Sequence, residues 1–104
     1  MDVLIRIKRA VIARRYRFSE KALLEMAADG LTRQDALESI LTAVTIYKTI
    51  RSTSPLRGKR REYLYVIQST NLSGVPIYTK GKLVSQAGQD MFYFLISSKK
   101  LQWS

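Results

Sequence analysis

FSEKALLEMAADGLTRQDALESILTAVTIYKTIR, Phe18–Arg51, changes its hydrophobic period once, and that change decides the fold. Ser19 is placed to cap a helix, with Phe18 before it and Leu23 four positions in as a hydrophobic staple. Gly30 ends that helix, since glycine takes the left-handed backbone at a C-terminus at no steric cost. Thr32 then caps a second helix, with Asp35 as its capping-box partner and Ala36, Leu37, Ile40 and Leu41 as its apolar face. Two short antiparallel helices are expected. After Ala43 the pattern alternates, which is the period of a strand.

Outward from this point the chain keeps the new period. Val44–Arg51, Glu62–Thr70, Val75–Val84 and Met91–Ser97 each read as a strand, rich in β-branched and aromatic residues. Asn71–Gly74 and Gln86–Gln89 read as hairpin turns, while Ser52–Lys59, with Pro55 and Gly58, is too polar for core. Toward the N-terminus, Val3, Leu4, Ile7, Ala10 and Val11 fall at helical spacing and leave Arg6, Arg9 and Lys8 outward; a short strand over Val3–Ile7 is the alternative. The expectation is one α+β domain over residues 1–104, its N-terminal helices packed on one face of a four-stranded antiparallel sheet.

Composition limits the chemistry. The 104 residues include 18 Lys and Arg against 8 Asp and Glu, a net charge of +10, and neither His nor Cys. Imidazole bases, thiol nucleophiles, disulfides and the usual zinc ligands are excluded, so any catalysis rests on Lys, Arg, Tyr, Ser, Thr or carboxylates, with no cofactor or metal expected. The charge favours a polyanionic partner. It divides into three zones, +5 over residues 1–17, −3 over 18–42 and +8 over 43–104. Arg6, Lys8 and Arg9 break any apolar signal segment, and no 18-residue apolar run offers a membrane span, so a cytoplasmic protein is expected. An amphipathic presequence is the alternative for the basic N-terminus.

The basic residues interleave with tyrosines. RGKRREYLY, Arg57–Tyr65, places Arg57, Lys59, Arg60 and Arg61 beside two tyrosines, a composition suited to phosphate, although a solvated loop has the same composition. Alternation puts Tyr47 and Arg51 on one face of the first strand and Tyr78, Lys80 and Lys82 on one face of the third. If these faces adjoin, they form a basic groove lined by tyrosines. Such a groove suits metal-independent RNA cleavage, in which a lysine or tyrosine deprotonates the ribose 2′-OH and arginines stabilise the charge building on phosphorus. Simple sheet packing of each tyrosine, and RNA binding without catalysis, remain open beside it.

Phe18–Leu41 resembles a family of small bacterial domains of unknown function marked by a His-Ala pair near a helix start, then Arg-Gly-(Ile/Leu)-(Ser/Thr) and a second helix. REYLYVIQST, IYTKGKLV and MFYFLIS look like that family's sheet, and the family is similar to the RelE and MqsR type of toxin ribonuclease. Ala22, Gly30, Leu31 and Thr32 match, whereas Lys21 stands for the His and Asp29 for the Arg. The resemblance implies a RelE-like, microbial-ribonuclease-like fold. It also implies a toxin that cleaves messenger RNA, on the ribosome in some relatives, and an acidic antitoxin as partner. With no His available, Lys21, Arg60, Tyr65 and Lys80 become the catalytic candidates by chemistry. Tyr47, Arg51, Arg57, Lys59, Arg61, Tyr78 and Lys82 become the RNA-binding ones. A partner-binding role for the basic first helix is a further alternative.

Overall fold

The first segment settles as a helix in the computed structural model, which describes residues 2–53 and 61–102. Helix α1 spans Val3–Ile12 and starts where the Asp2 carboxylate accepts from the Leu4 N–H at 2.9 Å. Leu4, Ile7, Ala10 and Val11 are its buried stripe. A strand would send Leu4 and Ile7 to opposite faces, so only the helix buries both. Arg9 is exposed as expected, but Arg6 and Lys8 are half-buried and engaged: Arg6 grips Asp90, and Lys8 Nζ donates to the Ala43 carbonyl at 2.5 Å.

Strand β1 (Tyr16–Phe18) follows, then helices α2 (Glu20–Ala28) and α3 (Arg33–Thr42), and strands β2 (Lys48–Thr53), β3 (Arg61–Thr70), β4 (Pro76–Gln86) and β5 (Gln89–Lys100). The helix signals act as read. Ser19 Oγ accepts from the Ala22 N–H at 3.0 Å, Gly30 sits at φ +69°, and Thr32 and Asp35 close a reciprocal capping box at 3.1 and 2.8 Å. Asp35 also accepts from the Asn71 amide, and Glu38 from the Leu72 N–H, which ties α3 to the turn between β3 and β4.

The class is α+β, but the sheet is five-stranded and mixed, in the order β1-β5-β4-β3-β2. The four expected strands pair antiparallel, and β1 adds to β5 in parallel. Three residues are too few to show a period, so YRF carries no strand signal in the sequence. β2 also starts at Lys48 rather than Val44. Ala43 is buried and held by Lys8, so the chain spends the next residues turning from helix to sheet, leaving Val44 exposed until the Tyr47 N–H reaches the Val66 carbonyl at 2.9 Å.

α1 and α3 pack on one face of the sheet, where Ile40 and Ala43 join the α1 stripe over Ile67, Tyr93 and Leu95. Four buried aliphatic side chains from α1 alone contribute several kcal/mol at about 1.5–3 kcal/mol for each large one. α2 does not pair with α3 on that face. It runs beside β5 beyond the end of β1, where Glu25 accepts from the Ser98 N–H and Asp29 from the Lys100 N–H. These carboxylates satisfy edge donors that would otherwise invite another strand. Asp29 thus caps α2 and the edge of β5 at once. No helix among the described residues is long and apolar enough to cross a membrane.

The turn between β4 and β5 holds Ala87 at φ 53° and Gly88 at φ 79°, the two left-handed positions of a type I′ hairpin. Alanine is strained there, whereas asparagine tolerates that backbone. Ala87→Asn is expected to raise the unfolding free energy by about 0.5–1 kcal/mol, measured by urea denaturation with an unchanged m-value.

Candidate nucleic-acid interface

Because side chains alternate along each strand, the helix-bearing face takes Tyr65, Ile67, Gly81, Leu83, Tyr93 and Leu95, and their neighbours go to the opposite face. Register then builds that opposite face in rows. Ile50 pairs with Leu64, Lys82 with Phe94 and Phe94 with Arg17 on this face, and Lys48, Val66, Lys80 and Ser97 form the next row. Gln68, Tyr78 and Lys99 follow on one side, and Val84 with Phe92 on the other. α1 and α3 lie on the other side of the sheet, and α2 borders this face only at its β5 corner.

An antiparallel sheet that shows one face to solvent usually makes that face polar. Here it carries half-buried Phe92, Phe94, Tyr78, Leu64 and Val84 among cations. The Arg17 guanidinium lies 4.7 Å from the Phe92 ring centroid, and Lys99 Nζ lies 5.3 Å from that of Tyr78. Two of the cations have carboxylate neighbours, Lys82 with Glu62 at 3.5 Å and Lys99 with Glu25 at 4.0 Å. Lys48, Lys80 and Arg17 have none among the described residues. Burial raises the Tyr78 phenol above its ordinary range, with Glu25 adding to the shift, so that ring is a neutral surface at physiological pH.

The expected groove divides between the two faces. Lys80, Lys82 and Tyr78 share the open face, but Arg51 pairs with Tyr63 and Thr49 with Tyr65, which puts Arg51 on the helix-bearing side. Tyr47 precedes β2 and is exposed, outside the ladder that sets the faces. Tyr65 is also on the helix-bearing side, packed against the core, and burial raises its phenol pKa despite the opposing pull of Arg6. Tyr65 therefore stands on the opposite side of the sheet from Lys80. Lys21 is an exposed residue of α2, one turn before Glu25, whose carboxylate accepts from the hydroxyl of Ser97 in the Lys80 row. Arg57, Lys59 and Arg60 lie outside the described residues, as does the Arg61 side chain.

Lys48, Lys99, Arg17, Phe92 and Phe94 belong to this face without having been candidates. A signal for the rings exists in MFYFLIS, where both alternating halves are apolar: one half enters the core and the other needs an explanation. Arg17 carries no comparable signal, because its position depends on β1.

At the hairpin end of the sheet, Arg6 Nη2 meets Asp90 Oδ1 at 2.6 Å and Nε meets Oδ2 at 2.8 Å, a two-bond grip between α1 and β5. The Arg6 guanidinium, helped by the Ser85 hydroxyl, holds the Asp90 carboxyl below the usual carboxylate range. Asp35 is lowered as well, first by the Thr32 N–H and then by Asn71. An acid whose folded pKa is depressed stabilises above its unfolded pKa and loses that contribution as pH falls through the folded value. Urea midpoints are therefore expected to hold steady above about pH 4–5 and to fall below it, with Asp90→Asn flattening the decline. Arg6 is partly exposed, so solvent screening keeps the effect of this pair to about 1 kcal/mol.

Compared with protein-family models, with curated proteins and with solved structures, the chain matches none.

Proposed function

We propose that the open face of the sheet binds single-stranded RNA, in the cytoplasm. The observation that carries this reading is the set of three half-buried aromatic rings standing among cations on the solvent side of the mixed sheet. Bases of a single strand stack on such rings whatever their identity, and lysines and arginines between the rings take the phosphates. A duplex keeps its bases stacked on one another and cannot use the rings. RNA is the first ligand to test because the helical segment Phe18–Leu41 resembles that of a toxin-ribonuclease-like family.

The second reading adds cleavage, as in a toxin held by an acidic antitoxin that covers the basic face. Lys80 favours it, being a central lysine without a carboxylate neighbour among the described residues. Its amine would accept the 2′-OH proton while the 2′-oxygen attacks the adjacent phosphorus. The bond from phosphorus to the 5′-oxygen then breaks, leaving a 2′,3′-cyclic phosphate and a 5′-oxygen that takes up a proton to become a 5′-OH. The cations around Lys80 would stabilise the charge on phosphorus.

One experiment separates the readings: end-labelled RNA is titrated with the protein, followed by anisotropy and then by gel. Binding is expected with a dissociation constant of about 1–100 μM near 0.1 M salt. Intact bound RNA leaves a binding module. Cyclic-phosphate ends that vanish with Lys80→Ala or a 2′-deoxy substitution establish the ribonuclease, for which growth arrest on induced expression is also expected. Failure of the wild-type protein to bind single-stranded RNA would remove both readings.

A further inference from the structure

The hairpin end of the sheet concentrates arginines that the open face does not account for. The turn from α1 to β1 supplies Arg14 and Arg15, β1 supplies Arg17, and α1 supplies Arg6 and Arg9. They line two adjoining surface clefts that share Arg15: one holds Arg14, Arg17 and Phe92, the other Arg6, Arg9 and Asp90. Five guanidiniums face one described carboxylate, and Asp90 is already gripped by Arg6. Arg15 donates to the Asp90 carbonyl at 3.0 Å, which positions it without neutralising it. Arg9, Arg14 and Arg17 have no carboxylate partner among the described residues.

Two further features point to a ligand. Arg14 sits at φ 61°, a left-handed backbone that costs an L-residue free energy and that glycine or asparagine would adopt with less strain. The chain thus keeps a charge at a position where its own backbone favours a different residue. Secondly, the larger cleft, about 520 Å3, is continuous with the open face, because Phe92, Arg17 and Val84 belong to both. A strand lying across the rings therefore runs off the sheet directly over the arginines.

We propose that this arginine corner is a phosphate track that continues the open face, taking backbone phosphates of an RNA longer than the sheet itself accommodates. The inference rests on the open face binding RNA. Lysines and rings hold the bases and phosphates on the sheet, and Arg9, Arg14 and Arg15 hold only phosphate beyond it. Affinity therefore grows with strand length, and with it the dependence on salt.

The test compares a labelled tetranucleotide and a labelled dodecanucleotide of uridine, titrated between about 0.05 and 0.2 M salt. Arg14→Gly removes the charge and relieves the backbone. It is expected to raise the thermal midpoint, to weaken the dodecanucleotide about five-fold at ~0.1 M salt, and to lower its salt slope by about 0.7, one phosphate contact on a single strand. The tetranucleotide is expected to bind as before. Arg9→Gln, an exposed change on α1, is expected to act in the same direction. Unchanged dodecanucleotide affinity and slope in both variants would overturn the track alone, as would equal weakening of both lengths. Wild-type protein that binds neither oligonucleotide overturns the open face and the track together.

Discussion

Gly81→Ala is expected to lower the unfolding free energy by about 3 kcal/mol or more, at the upper end of what overpacking costs. A Cβ built on Gly81 would lie 2.6 Å from Tyr93 Cζ, 2.7 Å from its hydroxyl oxygen and 2.7 Å from the Phe94 carbonyl oxygen. Tyr93 is fully buried beneath α1, and its phenol is raised well above the ordinary range by that burial, so the ring has no open side to move into. The Phe94 oxygen is backbone within the sheet and cannot withdraw without disturbing the ladder. For a domain of ordinary stability, such a loss is a large part of the total. Tyr93→Leu in the same chain removes two of the three close contacts, so a double-mutant cycle in urea should show strong coupling but incomplete recovery. A loss below about 0.5 kcal/mol for the single variant would mean that this part of the sheet is looser than the fold described above.

Lys80→Glu is expected to weaken RNA binding by about 25-fold near 0.1 M salt, while leaving the denaturation midpoint nearly unchanged. Losing one phosphate contact accounts for about five-fold, and placing an anion among the remaining contacts opposes about as much again. Lys80 is the position for this test because its row neighbours, Val66 and Ser97, carry no charge, and no described carboxylate pairs with it. Tyr65→Phe is the companion variant. Tyr65 neighbours Lys80 only through the backbone register and points to the other face, so its hydroxyl is expected to contribute nothing to binding. Anisotropy titrations of both variants decide it. Equal losses in the two would place RNA elsewhere on the protein, and no loss in Lys80→Glu would remove the open face as the site.

The contrast between these two residues shows what was legible in the sequence. Local grammar was: Ser19, Gly30, Thr32 with Asp35, Asn71 and Gly88 each act within a few positions of themselves, and helices and hairpins fall where those residues put them. Alternation also grouped Tyr78, Lys80 and Lys82 on one side of their strand. What alternation could not supply is which side of one strand meets which side of the next, because register is a contact between distant segments. Tyr47 with Arg51 and Tyr78 with Lys80 were each plausible pairs, and pairing across β2, β3 and β4 sends Arg51 to the face opposite Lys80. Arg17 is a second example. Its place beside Phe94 depends on a parallel three-residue strand whose partner lies at the far end of the chain, a relation that leaves no periodic trace.

The position of β5 in the sheet has a consequence for the order of events during synthesis. β5 lies between β1 and β4 and also receives α1 and α2, so the first three elements made all dock on the last strand to emerge among the described residues. The contact from the Ser19 hydroxyl to the Ile96 carbonyl spans 77 positions. At about 5–20 residues per second, a ribosome needs roughly 4–15 s to make that interval. Throughout it, Leu4, Ile7, Ala10 and Val11 have no sheet to cover them. A nascent chain in that state is an apolar, highly cationic segment waiting beside the ribosome, so folding is expected to begin only as β5 clears the exit tunnel, with ribosomal RNA and chaperones competing for the waiting helix until then.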